Sequence, residues 1–318
     1  MATIQTPYVI IGSGQLGRAV AEVLVARGEA VTMISRSGRR PAGLPDNVNV
    51  MAVDATDPDA VARACDGAQV VFHCAMAPYL EWAEKFLPLT RGILEGVART
   101  GAKLVYGDNL YMYGPTGGQP IREDLPYAAT GKKGRVRAEM ARMLLESHEA
   151  GRVQVAIGRA SDFYGPGVTN SFLGEMFFRP ALTGKPVNLF GDLDAPHTFT
   201  YIKDFGRALV ILSDHDEAFG QAWHVPSDRT LTVREFIGLV EKEIGHSIKK
   251  RVAGRRMLKL IGLFSPMVRE VKELLYAWEE PYIMDYIRFE EAFGAEVTPH
   301  KTAIRETVAW FRKHLGMD

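Results

Sequence analysis

Six residues near the N-terminus, Gly12-Ser13-Gly14-Gln15-Leu16-Gly17, carry the clearest chemistry in the chain. In a GxGxxG spacing the first glycine permits a tight turn. The second lets the backbone approach a pyrophosphate, and the third lets the next helix pack close on the preceding strand. The free N–H groups at that helix start face the phosphates. A second concentration of chemical groups is Gly107-Asp108-Asn109-Leu110-Tyr111-Met112-Tyr113-Gly114-Pro115. Its amide and phenols can hydrogen-bond a substrate oxygen, and a phenol can exchange a proton with it. No metal site is expected.

The elements that must position these groups follow from periodicity. Tyr8–Ile11 is a short β-branched run, and Leu16, Val20, Val23 and Leu24 fall at helical spacing behind the glycine turn. Gly28 is a helix stop. Residues 30–34 read as a second strand, 48–53 as a third, 67–72 as a fourth, 103–106 as a fifth and 153–157 as a sixth. Asp57-Pro58 starts a helix by capping and fixed φ. Two further helices are expected over 79–100 and 135–147. The alternation predicts an α/β fold, a doubly wound parallel sheet of the Rossmann type covered on both faces.

Ligands of such sheets sit at the carboxyl ends of the strands. The second strand ends at Ser35-Arg36, where an acid would bind the free 2′-hydroxyl of NAD and arginine suits a 2′-phosphate. The expected cofactor is therefore NADP(H), with NAD as the alternative. Asp54, Ala55, Cys74, Ala75, Met76 and Ala160 are the other strand-end positions expected to line the cofactor crevice. His73 is read as a structural histidine.

Beyond Gly167 the punctuation becomes irregular. Residues 1–167 are expected to form the dinucleotide-binding domain, with 198–222 returning to it, and 168–197 and 223–318 a smaller C-terminal substrate lobe. Thr232 is expected to cap a helix over 233–243, and 264–278 to form a helix whose apolar stripe packs into the core. The 318 residues are 47% hydrophobic, ample for a core, and 38 basic residues balance 38 acidic ones. That balance argues against nucleic acid or an anionic membrane as partner, leaving a small-molecule substrate. Two cysteines and no basic leader suit a reducing cytoplasm. No apolar run reaches membrane-span length, the nearest, 257–264, being short and interrupted by Lys259.

Several segments in the right order resemble the extended short-chain dehydrogenase/reductase family, the NAD(P)-dependent epimerase/dehydratases. GSGQLG resembles its cofactor turn and VVFHCAMAP its fourth-strand segment. LYMYGP is similar to its VYG loop, and GRASDFYGPG to its R-x-x-N-x-Y-G-P-G stretch. TFTYIKDFGRALVIL and the ending FEEAFGAEVTPHKTAIRETVAWFR match its later segments. The resemblance implies a Tyr-x-x-x-Lys pair and an upstream Ser or Thr. With Glu139 as anchor, the tyrosine position falls on Gly131 and the lysine position on Arg135; counted back from Tyr113, the hydroxyl position falls on Asn109. Arg135 can hold a ribose hydroxyl but does not readily release a proton. Asn109 can hydrogen-bond a substrate oxygen. Tyr113, Tyr111, Tyr127, Lys132 and Lys133 are the groups that could supply the proton instead. The resemblance also implies a homodimer through the helices near 80–100 and 132–147.

The expected function is hydride transfer between NADP(H) and a small or medium carbonyl or alcohol, with a non-standard proton donor. The alternative is an NADP(H)-binding sensor without turnover. Epimerase or dehydratase chemistry is disfavoured, because it needs a reversible acid/base at Gly131.

Overall fold

The computed structural model describes residues 6–254, 257 and 272–317. Its centre is a seven-stranded, all-parallel sheet. Six strands are β1 (Tyr8–Ile11), β2 (Val31–Ser35), β3 (Asn49–Ala52), β4 (Val70–His73), β5 (Lys103–Asp108) and β6 (Val155–Arg159). The seventh, Ala222–His224, pairs with the outer edge of β6. The spatial order is seventh strand, β6, β5, β4, β1, β2, β3. The winding reverses between β1 and β4, and their carboxyl ends flank the crevice where such sheets take ligands.

Helices cover both faces. α1 (Gln15–Ala26) and α6 (Ile202–Asp214) pack together on one side. Their close approach needs Gly206, where a Cβ would lie 2.7 Å from Ala19. α2 (Pro58–Ala64), α3 (Trp82–Val97) and α4 (Lys132–Glu149) cover the other side. β1 alternates its core between them: Ile10 belongs to the α1 side, Val9 and Ile11 to the α3 side.

Local chemistry sets the helix ends. Asp57 accepts from the Asp59 N–H at the start of α2 (2.9 Å), with Pro58 behind it. Thr232 and Glu235 form a reciprocal capping box on α7 (Val233–Ile244), which ends at Gly245 with φ +80°.

The return to the main sheet extends through His224, because Ala222–His224 completes the parallel ladder on β6. α4 begins at Lys132, three residues before the periodic apolar run, because Gly131 leads into it with extended backbone and a distant carboxylate accepts its first N–H groups. Of the expected helix over 264–278, residues 264–271 lie outside the described residues, as does most of 257–264. The described end forms a 3₁₀ turn, Lys272–Leu274, and a short helix, Tyr276–Glu279. No helix among the described residues is long and apolar enough to cross a membrane.

The segment 278–285 crosses the carboxyl edge of the sheet and is stitched down by backbone bonds. Asp192 N–H donates to the Trp278 carbonyl (2.8 Å), Tyr282 N–H to the Pro196 carbonyl (2.8 Å) and Ile121 N–H to the Ile283 carbonyl (2.7 Å).

Candidate active site

The glycine turn has three different glycine environments. Gly12 has φ +119°, donates its N–H to the Ile34 carbonyl (2.8 Å), and a Cβ there would lie 2.6 Å from the Ala75 nitrogen. A Cβ on Gly17 would lie 2.0 Å from the Gly12 carbonyl oxygen. Gly14 caps α1 with extended backbone, and nothing lies within 4 Å of where its Cβ would stand. The first turn of α1 has no side-chain cap and no acidic residue. The α1 N-terminus therefore opens to space at Gly14 with a positive dipole end behind it, which fits a dinucleotide pyrophosphate.

The arginines after β2 divide their work. Arg40 donates to the Val48 carbonyl (2.8 Å) and to the Pro45 carbonyl, holding its own loop. Arg36 is exposed and has no hydrogen bond or ion pair among the described residues. Ser35 accepts the Gly38 N–H on its side chain (3.2 Å). Asp54 follows the end of β3, and its carboxyl is held below the usual range by the Thr56 N–H and hydroxyl (3.0 and 2.7 Å). Ala55 is buried, Cys74 and Ala75 half-buried and Met76 exposed along the β4 end. Burial pushes the Cys74 thiol up. Ala160 N–H donates to the Asp108 carbonyl (3.1 Å), tying the β6 end to the β5 end.

Asn109 accepts the Tyr111 N–H on Oδ1 (3.1 Å), just ahead of the 3₁₀ turn Tyr111–Tyr113, and its NH₂ makes no hydrogen bond among the described residues. Gly131 is the N-cap residue of α4. The carboxylate of Glu273 accepts the N–H groups of Lys132 (2.8 Å) and Lys133 (3.0 Å), and a Cβ on Gly131 would lie 3.0 Å from its Oε2. A carboxylate thus stands where a larger side chain at 131 would project. Lys132 and Arg135 are exposed, whereas Lys133 is buried with its ammonium 4.2 Å from the Tyr79 ring centre.

The tyrosines lead into a buried charge network. Arg159, fully buried, donates to the hydroxyls of both Tyr113 and Tyr127. Tyr113 Oη also meets His224 Nε2 (2.9 Å). The structure therefore brings Tyr113 and Tyr127 together on one guanidinium, with neither paired to Lys132. Asp108 lies between Arg137 (3.0 Å) and Arg159 (3.5 Å), and Arg137 also donates to Tyr106. Trp82 and Phe86 lie within 4.4 and 4.6 Å of the Arg137 guanidinium. Burial raises the Tyr106 and Tyr113 phenols above their ordinary value.

Two histidines pack against this network and stay neutral. Burial, reinforced by Arg137, takes His73 down to about 3, and burial, reinforced by Arg159, takes His224 down to about 3. Below the ordinary value of 6.5 the unfolded chain binds protons that the fold refuses, so stability rises with pH and is lost on acidification from about 6.5 towards 3. Urea denaturation at stepped pH should show a loss of roughly 1.4 kcal/mol per pH unit for each such group. A pH-independent midpoint over that window would contradict the neutral assignment.

Sequence reasoning did not single out Arg137, Arg159, Glu273, His197 or Tyr282. A readable signal existed for Asp108, since Tyr106 and Asp108 share one face of β5. Glu273 comes from a segment 141 residues away from Lys132, and nothing local announces it.

Residues 8–225 match the model of the NAD dependent epimerase/dehydratase family. A UDP-N-acetyl-alpha-D-glucosaminuronate decarboxylase of Bacillus cytotoxicus is 25% identical over 261 residues, covering 76% of this chain and 80% of that protein. A dTDP-glucose 4,6-dehydratase of Streptomyces griseus is 24% identical over 233 residues, covering 71% of this chain and 63% of that protein. Among solved structures, the UDP-glucuronic acid 4-epimerase of Bacillus cereus in complex with NAD superposes with a TM-score of 0.78 at 18% identity, covering 98% of each chain. A double mutant of DesIV, a dTDP-glucose 4,6-dehydratase of Streptomyces venezuelae, with NAD and DAU bound superposes with a TM-score of 0.79 at 18% identity, covering 98% of each chain.

Proposed function

The chain belongs to the NAD-dependent epimerase/dehydratase family, and from that premise we propose that it is an oxidoreductase that prefers NADP(H) and acts on a small or medium carbonyl or alcohol. The observation that carries the reading is the pairing of an uncapped α1 N-terminus over an open Gly14 with an exposed Arg36 at the end of β2, which makes no hydrogen bond among the described residues and has only the charge of Asp54 acting with it. Gly12, Ser13, Gly14, Gln15, Leu16 and Gly17 hold the pyrophosphate. Ser35 and Arg36 hold a 2′-phosphate, and Asp54, Ala55, Cys74, Ala75, Met76 and Ala160 line the crevice. When bound, the nicotinamide donates or accepts a hydride.

The chain's own part is to orient and polarise the substrate. The free NH₂ of Asn109 donates to the substrate oxygen. Arg135, on the exposed face of α4, reaches a ribose hydroxyl. Tyr113 and Tyr127, both already bonded by Arg159, position the strand-end loop. Lys132, exposed at the start of α4, and Lys133, buried behind it, are the groups that could exchange a proton.

A second reading, a cofactor-binding protein without turnover, draws support from Glu273, which closes the α4 N-terminus where the resemblance puts a catalytic tyrosine. Fluorescence titration with NADPH and NADH tests the cofactor half. Arg36→Asp should reverse the preference, weakening NADPH by at least about tenfold, or 1.4 kcal/mol, while sparing NADH. An unchanged ratio would remove the 2′-phosphate assignment.

A further inference from the structure

The start of α4 holds a carboxylate that its own stretch of sequence does not supply. Glu273 comes from 141 residues away, on the segment that leads into the crossing of the sheet edge. Its Oε2 accepts the Lys132 N–H at 2.8 Å and its Oε1 the Lys133 N–H at 3.0 Å. Among the described residues these are its only hydrogen bonds, and it makes no ion pair. A carboxylate offers about four lone-pair directions. Two are used, so each oxygen keeps one for a further donor. Glu273 is half-buried, so part of it stays open to solvent.

The surroundings make this carboxylate part of the site as well as a cap. Gly131 has φ −69°, which any residue adopts, yet a Cβ there would lie 3.0 Å from Glu273 Oε2. The carboxyl group thus takes the space that a side chain at 131 would enter. Gly134, one turn on, lets α4 approach the loop that follows β5, since a Cβ there would lie 2.5 Å from the Tyr111 carbonyl oxygen. That loop carries Asn109, whose Oδ1 accepts the Tyr111 N–H. Lys132 and Lys133, whose N–H groups hold the carboxylate, also line a cavity of about 90 Å³ together with Leu80, Trp82 and Ala83.

The neighbouring groups are worse placed to accept a proton. The ammonium groups of Lys132 and Lys133 only donate, and that of Lys133 lies 4.2 Å from the Tyr79 ring centre and 5.7 Å from that of Trp82. The hydroxyls of Tyr113 and Tyr127 are both held by Arg159. We infer that Glu273 is the proton acceptor of this site and takes the proton of a substrate hydroxyl as that alcohol is oxidised. In this step the O–H bond breaks and its proton passes to the Glu273 carboxylate. The electron pair of the C–H bond leaves with its hydrogen as hydride for the oxidised nicotinamide, the chemistry already assigned to the cofactor, and C–O becomes C=O. The carboxylic acid then gives its proton to water. Carbonyl reduction runs the same steps backwards, with Glu273 as donor. The inference rests on the oxidoreductase reading.

Two measurements on the full chain test it, one of them without turnover. With NADP⁺ present, 1-methylcyclohexanol, a tertiary alcohol that has no hydride to give, should move the ¹³C NMR signal of the Glu273 carboxyl, assigned by its loss in Glu273→Gln. With secondary alcohols such as cyclohexanol as substrates, Glu273→Gln should lower kcat by at least about 100-fold, the lower end for a lost general base. NADPH affinity should stay at the native value, which shows that the variant is folded. The residual rate should rise roughly tenfold per pH unit as hydroxide takes over as acceptor, a dependence that loss of a helix cap would not produce. A Glu273→Gln rate within about tenfold of native, or a carboxyl signal unmoved by the tertiary alcohol in a chain that oxidises alcohols, would overturn Glu273 and leave the oxidoreductase reading standing. A native chain inert toward every alcohol and carbonyl, with its carboxyl signal still moved by the tertiary alcohol, would sink the oxidoreductase reading and support Glu273 as the group that meets a hydroxyl.

Discussion

Gly14→Val should abolish NADPH binding and leave the fold untouched. Gly14 has φ −73° and ψ −173°, a conformation open to any residue, and no atom lies within 4 Å of the added Cβ. The branched side chain would stand over the α1 N-terminus, in the space a pyrophosphate needs. Affinity should fall by at least about 100-fold, near 2.7 kcal/mol, with the melting temperature of the free protein unchanged. Gly17→Ala should do the reverse. Its Cβ would sit 2.0 Å from the Gly12 carbonyl oxygen, so α1 must move off β1 and the free protein should lose about 1–3 kcal/mol, the order seen for overpacked cores. Calorimetry and fluorescence titration on the two variants check both halves. Native-like NADPH binding by Gly14→Val, or native stability in Gly17→Ala, would contradict the geometry.

Asp108→Asn is the second large effect, and it acts on stability. The Asp108 side chain is inaccessible to solvent and lies between the guanidiniums of Arg137 and Arg159, themselves 7% and 0% exposed. Asparagine keeps the shape and removes the only carboxylate recorded within ion-pair distance of either cation among the described residues. Two buried positive charges then face each other without compensation. Breaking a buried pair from one side costs about 3–5 kcal/mol, which for a chain of this size lowers the melting temperature by on the order of 10 °C. Adding Arg137→Met, which takes out one of the stranded charges, should recover part of the loss. A urea midpoint within about 0.5 kcal/mol of the native protein, the range of ordinary surface substitutions, would show that the network is solvated rather than buried.

The network and the glycine turn also show what a sequence can and cannot disclose. GSGQLG, Gly28, Asp57-Pro58 and the Thr232 cap are readable because each acts on its own neighbours through φ, capping or helical spacing. The parallel sheet is readable for the same reason, since strands and helices alternate along the chain. The strand order is not local, and neither is the seventh strand. Ala222–His224 is too short to declare a partner and joins the sheet only because β6 offers an edge. The candidate site is less legible still. Asn109 can be placed by counting from Tyr113, but the carboxylate at the start of α4 comes from Glu273, and the phenol ring that packs on His197 from Tyr282. Each depends on where segment 272–285 crosses the sheet, and that path is set by tertiary contacts such as Trp278 on His197. Arg137 reads as an ordinary helix arginine until β5 places Asp108 beneath it.

The central claim is that this site moves a hydride. The most direct measurement incubates the protein with NADPH deuterated at the nicotinamide C4 and a panel of aldehydes and ketones, and follows the label by mass spectrometry. The expected result is deuterium on the carbon that becomes an alcohol. NADPH bound tightly, with no label in any product, would contradict it.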